Sequence, residues 1–368
     1  MLSWGHVKLF SPNTLNNSAA GLAVLEELGI PVPPPGEFPT GAEFVSGYLV
    51  HLGRFLDTCG NCKIMLSTQV LSVGRGDLLK GQDCTRSKDR GAQMFRVLVE
   101  TVDGEDVIEG LDVIIDATGT YGNHNWLGKG GIPARGERKL ENKIIYTIPD
   151  VSSDRFWGED KPKISMVVGA GASAATTLGG LHDLSREKGG VGVVWVTRRQ
   201  GEPYSVIEND PLPQREALYR MGNMLASPGP VNHFALFRYC GGSCVKSVRC
   251  KEEQLEVVLE KEGEEEVLMV DNLIGHVGYR PDTSITQELQ VHYCYATEGP
   301  MRLAAAMLAS GAGGGGDCLA QVAPGPDMLR SPEPGLFVLG MKSYGRGSAF
   351  LLKIGHEQVQ QVITLLTK

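Results

Sequence analysis

The sequence has no excess of basic residues: 35 Lys and Arg stand against 43 Asp and Glu, a net charge of −8 over 368 residues. That balance gives no electrostatic case for binding nucleic acid or an anionic membrane surface. No apolar run reaches the about 18 residues that suggest a membrane span, and no basic segment followed by an apolar one opens the chain. A cytoplasmic protein without a span is expected. Cysteine is scarce, at eight residues, which excludes a disulfide scaffold, and the spacings form no paired CxxC zinc pattern, so no metal site is expected. Cys59-Gly-Asn-Cys62 follows an apolar-periodic helix and precedes a strand-like stretch from Lys63 to Val73. It and Cys240-Gly-Gly-Ser-Cys244 are read as ordinary loop residues of a reduced protein.

What is present is ordinary for a globular chain, with 42% hydrophobic and 21% charged residues and enough length for about two domains. Small molecules are the expected partners. The most informative stretch is "MVVGAGASAATTLGGL", residues 166–181. Lys163 to Val168 reads as a short apolar strand, Ala172 to Arg186 as a helix and Gly192 to Thr197 as the next strand. That is the order a dinucleotide-binding turn requires. Gly169 permits the tight turn, Gly171 lets the backbone approach a pyrophosphate, Ser173 lies in the first helical turn, and Ala174 keeps the helix close to the strand. Where an acidic residue would favour NAD, the chain has Arg198 and Arg199 after "VVWVT". Guanidinium groups there favour the 2′-phosphate of NADPH.

An internal repeat places this unit in the middle of the chain. Residues 94–121 and 254–279 each read as an alternating strand, an acidic Gly-containing turn, a second strand, then Asp, an aliphatic run and Gly. Aligning Asp112 with Asp271 also aligns Gly119 with Gly278. The first copy should therefore carry its own glycine turn near position 10. "SWGHVKLFSPN" stands there, with one glycine and no apolar strand leading into it.

Asp116-Ala-Thr-Gly119, Gly169-Ala-Gly171-Ala-Ser-Ala174, Gly278-Tyr-Arg-Pro-Asp282 and Gly335-Leu-Phe-Val-Leu-Gly340 together resemble the two-domain FAD/NAD(P)H flavoproteins, which include flavin-containing monooxygenases and pyridine nucleotide-disulfide oxidoreductases. The resemblance covers nearly the whole chain and implies an α/β fold of two Rossmann-like, three-layer ββα-type dinucleotide-binding domains, the NADPH domain inserted in the FAD domain. The implied boundaries are 1–135 for the first part of the FAD domain, 136–285 for the NADPH domain and 286–368 for the C-terminal part of the FAD domain. Relatives carry an N-terminal GxGxxG, so its lack implies that the first βαβ of the FAD domain is absent and the N-terminus truncated. The resemblance also puts Thr118 and Gly119 close to FAD, the Val70 backbone on adenine, and Gly340 to Ser343 along the ribityl and pyrophosphate. Many relatives have Gly-Asp where this chain has Gly340-Met341. A helix starting near Phe350 would aim its N-terminus at the flavin pyrimidine ring.

The implied activity is hydride transfer from NADPH to flavin. Relatives that pass electrons to a cysteine pair place it just ahead of the NADPH turn or soon after the FAD turn. Residues 120–168 and 1–58 contain no cysteine. A monooxygenase using molecular oxygen on a small organic substrate is therefore expected. An NADPH-dependent flavin reductase or oxidase without a cysteine relay, and an inactive NADPH-binding module lacking FAD, are the alternatives. His6 and Lys8 either approach the flavin or form a basic surface. Tyr293 to Gly299 and Gly345 to Phe350 either line a substrate pocket or form core strand and turn. Gly311 to Asp317 reads as a flexible loop, and Ile30 to Pro39 as an extended connection.

Overall fold

The computed structural model describes residues 2–84, 87–207, 210, 212–227, 234–309 and 325–367; the glycine run from Gly311 to Asp317 lies outside them. The described chain forms two compact units. One comprises Met1–Ser11, Phe38–Val45 and His124–Gly278, the other Pro12–Glu37, Ser46–Asn123 and Tyr279–Lys368. In chain order the strands are β1 (Gln69–Arg75), β2 (Phe95–Thr101), β3 (Gly104–Leu111), β4 (Ile114–Asp116), β5 (Lys163–Val168) and β6 (Val191–Thr197). They continue as β7 (Leu236–Gly241), β8 (Cys244–Lys251), β9 (Gln254–Lys261), β10 (Glu264–Val270), β11 (Asn272–Gly275) and β12 (Leu336–Val338). The longer α-helices are α1 (Ala19–Glu27), α2 (Val50–Thr58), α3 (Ala172–Lys188), α4 (Pro213–Ala226), α5 (Met301–Ala309) and α6 (Leu352–Leu366). Among the described residues no helix is long and apolar enough to cross a membrane.

The unit containing residues 124–278 is built on a four-stranded parallel sheet of order β11-β5-β6-β7. Its central strand "VGVVWVT" is buried at every position, as the β-branched run predicts, because a parallel strand covered on both faces has no polar side to show. Val167, Val193 and Trp195 pack on one face with Leu178 and Leu181 of α3. Met166, Val194 and Val196 pack on the other with the antiparallel meander β8-β9-β10. Along β9, Leu255, Val257 and Leu259 are buried in alternation, the period-2 pattern of a half-covered strand. The β9–β10 hairpin turns at Glu262 and Gly263, with φ of 51° and 91°, the two positive angles that a type I′ turn needs to match strand twist.

The other unit repeats part of this plan. An antiparallel meander β1-β2-β3 precedes β4, which pairs in parallel with β12. The two sequence repeats therefore form the same elements, two meander strands and a short parallel strand, in each unit. Val73, Phe95, Val97 and Val99 of the meander pack with Leu289 and Leu336. The stretch from Lys63 becomes strand only at Gln69; residues 63–67 are exposed on every side chain and offer no face to bury.

A buried charge cluster ties this second unit together. Glu333 is completely buried between Arg75 and Arg90. It accepts from Arg75 Nε at 2.9 Å, Arg90 Nε at 3.0 Å and the Gln290 N–H at 2.8 Å. Burial acts to raise its pKa, but the hydrogen bonds from Arg90, Gln290 and Arg75 outweigh it and hold the carboxyl below the usual range. The surplus cation is met by backbone carbonyls of Gln93 and Pro334 on Arg75 and by the Phe95 ring, 3.5 Å from the guanidinium. Removing the carboxylate would leave two guanidiniums out of water without a counter-charge. Glu333→Ala is expected to cost about 3–5 kcal/mol, read as a lower urea midpoint, and an unchanged midpoint would show that the cluster does not stabilise this unit.

Candidate functional site

The glycine turn lies at the carboxyl end of β5, where open parallel sheets bind ligands. Gly169 has φ +132°, and a β-carbon on it would stand 2.1 Å from the His276 carbonyl oxygen, so the turn needs glycine for both conformation and space. Its amide donates to Val196 O at 2.9 Å, and its carbonyl accepts from Trp195 Nε1 at 2.8 Å. Gly171 is the N-cap of α3, carries no side-chain cap and has open space where a β-carbon would point. The first N–H groups of α3 are thereby left to an external acceptor, with the positive end of the helix dipole behind them.

Ala174 is fully buried against the sheet, and Ser173 is half-buried one residue earlier. Arg198 and Arg199 directly follow β6 and are exposed. The structure thus brings Gly169, Gly171, Ser173, Ala174, Arg198 and Arg199 together at the carboxyl ends of two adjacent strands. Observed bounds of β5, α3 and β6 are close to those expected, with α3 running two residues further to Lys188.

No motif signalled the residues that hold this turn. Trp195 is fully buried beneath it. His276 follows β11, donates its N–H to Val168 O at 2.8 Å, and shares a 2.7 Å hydrogen bond between Nε2 and Thr177 Oγ1 of α3. Burial pushes its imidazole pKa down from 6.5 to about 4. Tyr204 is also buried, with its hydroxyl 3.4 Å from Gly171 O.

In the other unit, β4 and β12 end side by side. Thr118 donates from Oγ1 to Asp116 Oδ1 at 2.8 Å, and Lys342 Nζ, itself buried, donates to Asp116 Oδ2 at 2.6 Å and to Thr118 Oγ1 at 3.1 Å. Gly119 and Gly340 have φ of 72° and 69° with open space on the β-carbon side. The turn from Gly340 through Met341 to Ser343 is held by the buried Gln358 of α6, which accepts from the Gly340 N–H at 2.8 Å and donates to Ser343 Oγ at 3.0 Å. Thr118, Gly119, Gly340, Met341 and Ser343 therefore converge on one strand end. Val70 lies on β1, 37% exposed and paired with Val99. The helix expected near Phe350 starts at Leu352 without a side-chain cap. Lys342 and Gln358 were not legible beforehand, since a lone lysine or glutamine carries no spacing signal.

His6 is exposed and acts electrostatically on Asp150. Lys8 forms an isolated bridge with Thr40. The described cysteines are all free. Cys59 caps the carboxyl end of α2 and, like Cys62, is exposed.

Two nucleotide-type strand ends, each with a three-stranded meander beside it, define the class of fold. The chain has the fold of the FAD/NAD(P) flavoprotein superfamily. Bacillithiol disulfide reductase Bdr of Bacillus cereus is similar with a TM-score of 0.58 and 17% identity, covering 97% of this chain and 86% of that one. The ornithine N-hydroxylase of Kutzneria sp. 744 gives a TM-score of 0.57 at 15% identity, covering 98% and 88%. Thioredoxin reductase of T. acidophilum gives 0.53 at 15% identity, covering 90% and 82%. No protein-family model matches the chain, and no curated protein matches it in sequence.

The His276 imidazole makes stability depend on pH. The folded state refuses a proton that the unfolded chain accepts below about pH 6.5, so stability is fully present above that value and lost as pH falls toward 4, at a limiting slope of about 1.4 kcal/mol per unit. Urea midpoints taken from pH 7 to pH 4.5 are expected to fall less steeply in His276→Gln than in the parent chain. Gly169→Ala is expected to destabilise by more than about 1 kcal/mol at every pH, and an unchanged midpoint would refute the close approach at His276.

Proposed function

We propose that the chain is an FAD-dependent, NADPH-linked oxidoreductase of monooxygenase type that uses molecular oxygen on a small organic substrate. The observation that carries this reading is the uncapped start of α3 at Gly171, set beside the exposed Arg198 and Arg199. Those residues fit NADPH: backbone N–H groups of the turn receive the pyrophosphate, and the two guanidiniums receive the 2′-phosphate. A flavin fits the strand end at Thr118, Gly119 and Gly340–Ser343, where both glycines leave the backbone open to a ligand. The proposed division is 1–135 and 286–368 around FAD and 136–285 around NADPH.

When bound, the flavin supplies hydride acceptance and onward electron transfer. This chain's residues bind and orient. Trp195 and the His276 carbonyl shape the phosphate turn, and Gln358 fixes the 340–343 turn. The Lys342–Asp116 pair keeps the strand end neutral as a whole. A thiol acceptor is disfavoured by the absence of cysteine from 1–58 and 120–168. The disulfide and thioredoxin reductases among the similar structures share the fold, and the structure of the N-hydroxylase among them is one with reduced FAD, NADP+ and L-ornithine. An NADPH-dependent flavin reductase or oxidase has the same site. One observation favours the reading without flavin: the β4–β12 sheet has two strands, and Ile115 within it is 49% exposed, where parallel sheets are normally covered on both faces.

Incubation with excess FAD followed by gel filtration and a visible spectrum separates these. Flavin retained with the protein and bleached by NADPH supports the proposal, and an oxygenated product rather than peroxide alone supports its monooxygenase form. A colourless, folded protein would sink the flavin reading and leave an NADPH-binding module. Replacing both Arg198 and Arg199 with Ala is expected to weaken NADPH about 10- to 100-fold while leaving NADH little changed, measured by equilibrium titration. Equal losses for both nucleotides would refute the 2′-phosphate role.

A further inference from the structure

The unit that contains residues 279–368 holds a cavity of about 420 Å³, two of whose lining residues, Asp282 and Tyr293, feel the charges of Lys342 and Asp116 at the strand end described above. Its size is in the range of small-ligand sites. Lys80, Asn123, Arg280, Asp282, Thr283 and Tyr293 are among its lining residues, and their hydrogen bonds sort them into two kinds.

Lys80 and Arg280 supply donors. Lys80 Nζ spends one N–H on Gln287 O at 2.7 Å, which leaves two. Arg280 spends Nε and Nη2 on Glu298, at 3.1 and 2.6 Å, and keeps Nη1. Glu298 is shared, because Arg346 Nη2 also donates to it at 2.9 Å. Counting Lys80, Arg280 and Arg346 against Glu298 and Asp282, the group is left with one positive charge.

The remaining groups accept. Thr286 donates its hydroxyl to Thr283 O at 3.1 Å, so the 3.0 Å contact between Thr286 and Tyr293 must be donated by Tyr293. The phenol oxygen of Tyr293 is then an acceptor toward the cavity. Asn123 uses Nδ2 on Pro281 O at 3.2 Å, so its Oδ1 is an acceptor as well. Asp282 is an acceptor held by Ser284 N at 2.9 Å.

We infer that this cavity binds a small polyhydroxy carboxylate. The carboxylate is met by Lys80 Nζ and Arg280 Nη1, whose surplus positive charge matches one negative group. Hydroxyls on the same ligand donate to Tyr293 Oη, Asn123 Oδ1 and Asp282. A neutral polyol lacks the anion that the two cations call for, and a fully deprotonated inorganic anion such as sulfate lacks the donors that the three acceptors call for. The site lies within one unit and does not rest on the redox reading.

The test is isothermal titration of the full chain with D-gluconate, with sorbitol as the neutral compound of equal length. Gluconate is expected to bind saturably and sorbitol at least tenfold more weakly. Lys80→Gln is expected to weaken gluconate tenfold or more, and Lys80→Arg, which keeps the charge, to hold it within a few-fold. Lys80 is exposed, and unchanged far-ultraviolet circular dichroism confirms that each variant folds. Absence of saturable gluconate binding, equal binding of sorbitol, or an affinity indifferent to Lys80→Gln would each overturn the inference.

Discussion

The nucleotide-type turn depends on one close backbone approach, that of the His276 carbonyl to Gly169. The oxygen lies where a β-carbon would stand, which obliges glycine at 169 and holds φ at +132°. The approach exists because β11 pairs in parallel with β5, so the chain leaving β11 crosses the end of β5. With both polar groups of Gly169 used, by Val196 and Trp195, the turn has one orientation. Buried polar groups that are fully paired specify a single arrangement. The unpaired N–H groups are displaced one step further, to the start of α3, where a ligand can take them.

The other unit is organised around buried charge rather than around a backbone approach. Glu333 joins Arg75, Arg90 and the Gln290 amide, and Lys342 joins Asp116 and Thr118. Taking ions out of water is costly and is offset only where geometry and hydrogen bonding are nearly complete. Carbonyls of Gln93 and Pro334 and the Phe95 ring complete the first cluster. The two clusters draw residues from β1, β4 and the segment from 333 to 342, which are remote in sequence. They locate the strand end to which Gly119 and Gly340 belong.

Fold and chemistry separate cleanly in this chain. The similar structures include disulfide and thioredoxin reductases beside an N-hydroxylase, so the shared architecture is compatible with electrons leaving to a thiol or to oxygen. A fold hosts chemistries that only the local side chains distinguish. In this chain cysteine is absent from residues 1–58 and 120–168, and Cys59 and Cys62 are exposed.

The sequence by itself determined the local elements: the β5 turn and α3, the buried β6 and the paired meanders, because strand alternation, β-branched runs and glycine spacing are encoded within about twenty consecutive residues. It also located Arg198 and Arg199 at the end of β6, since they adjoin the strand directly. It overextended the strand before Val70 by including residues 63–68, of which 63–67 have exposed side chains. Only the tertiary structure decided that Trp195 and His276 would hold the turn, that Lys342 would pair with Asp116 across 226 positions, and that Lys80, Asn123 and Arg280 would face one cavity. Those contacts follow from which strand pairs with which. A residue's own neighbours carry no record of the partner that burial will bring to it.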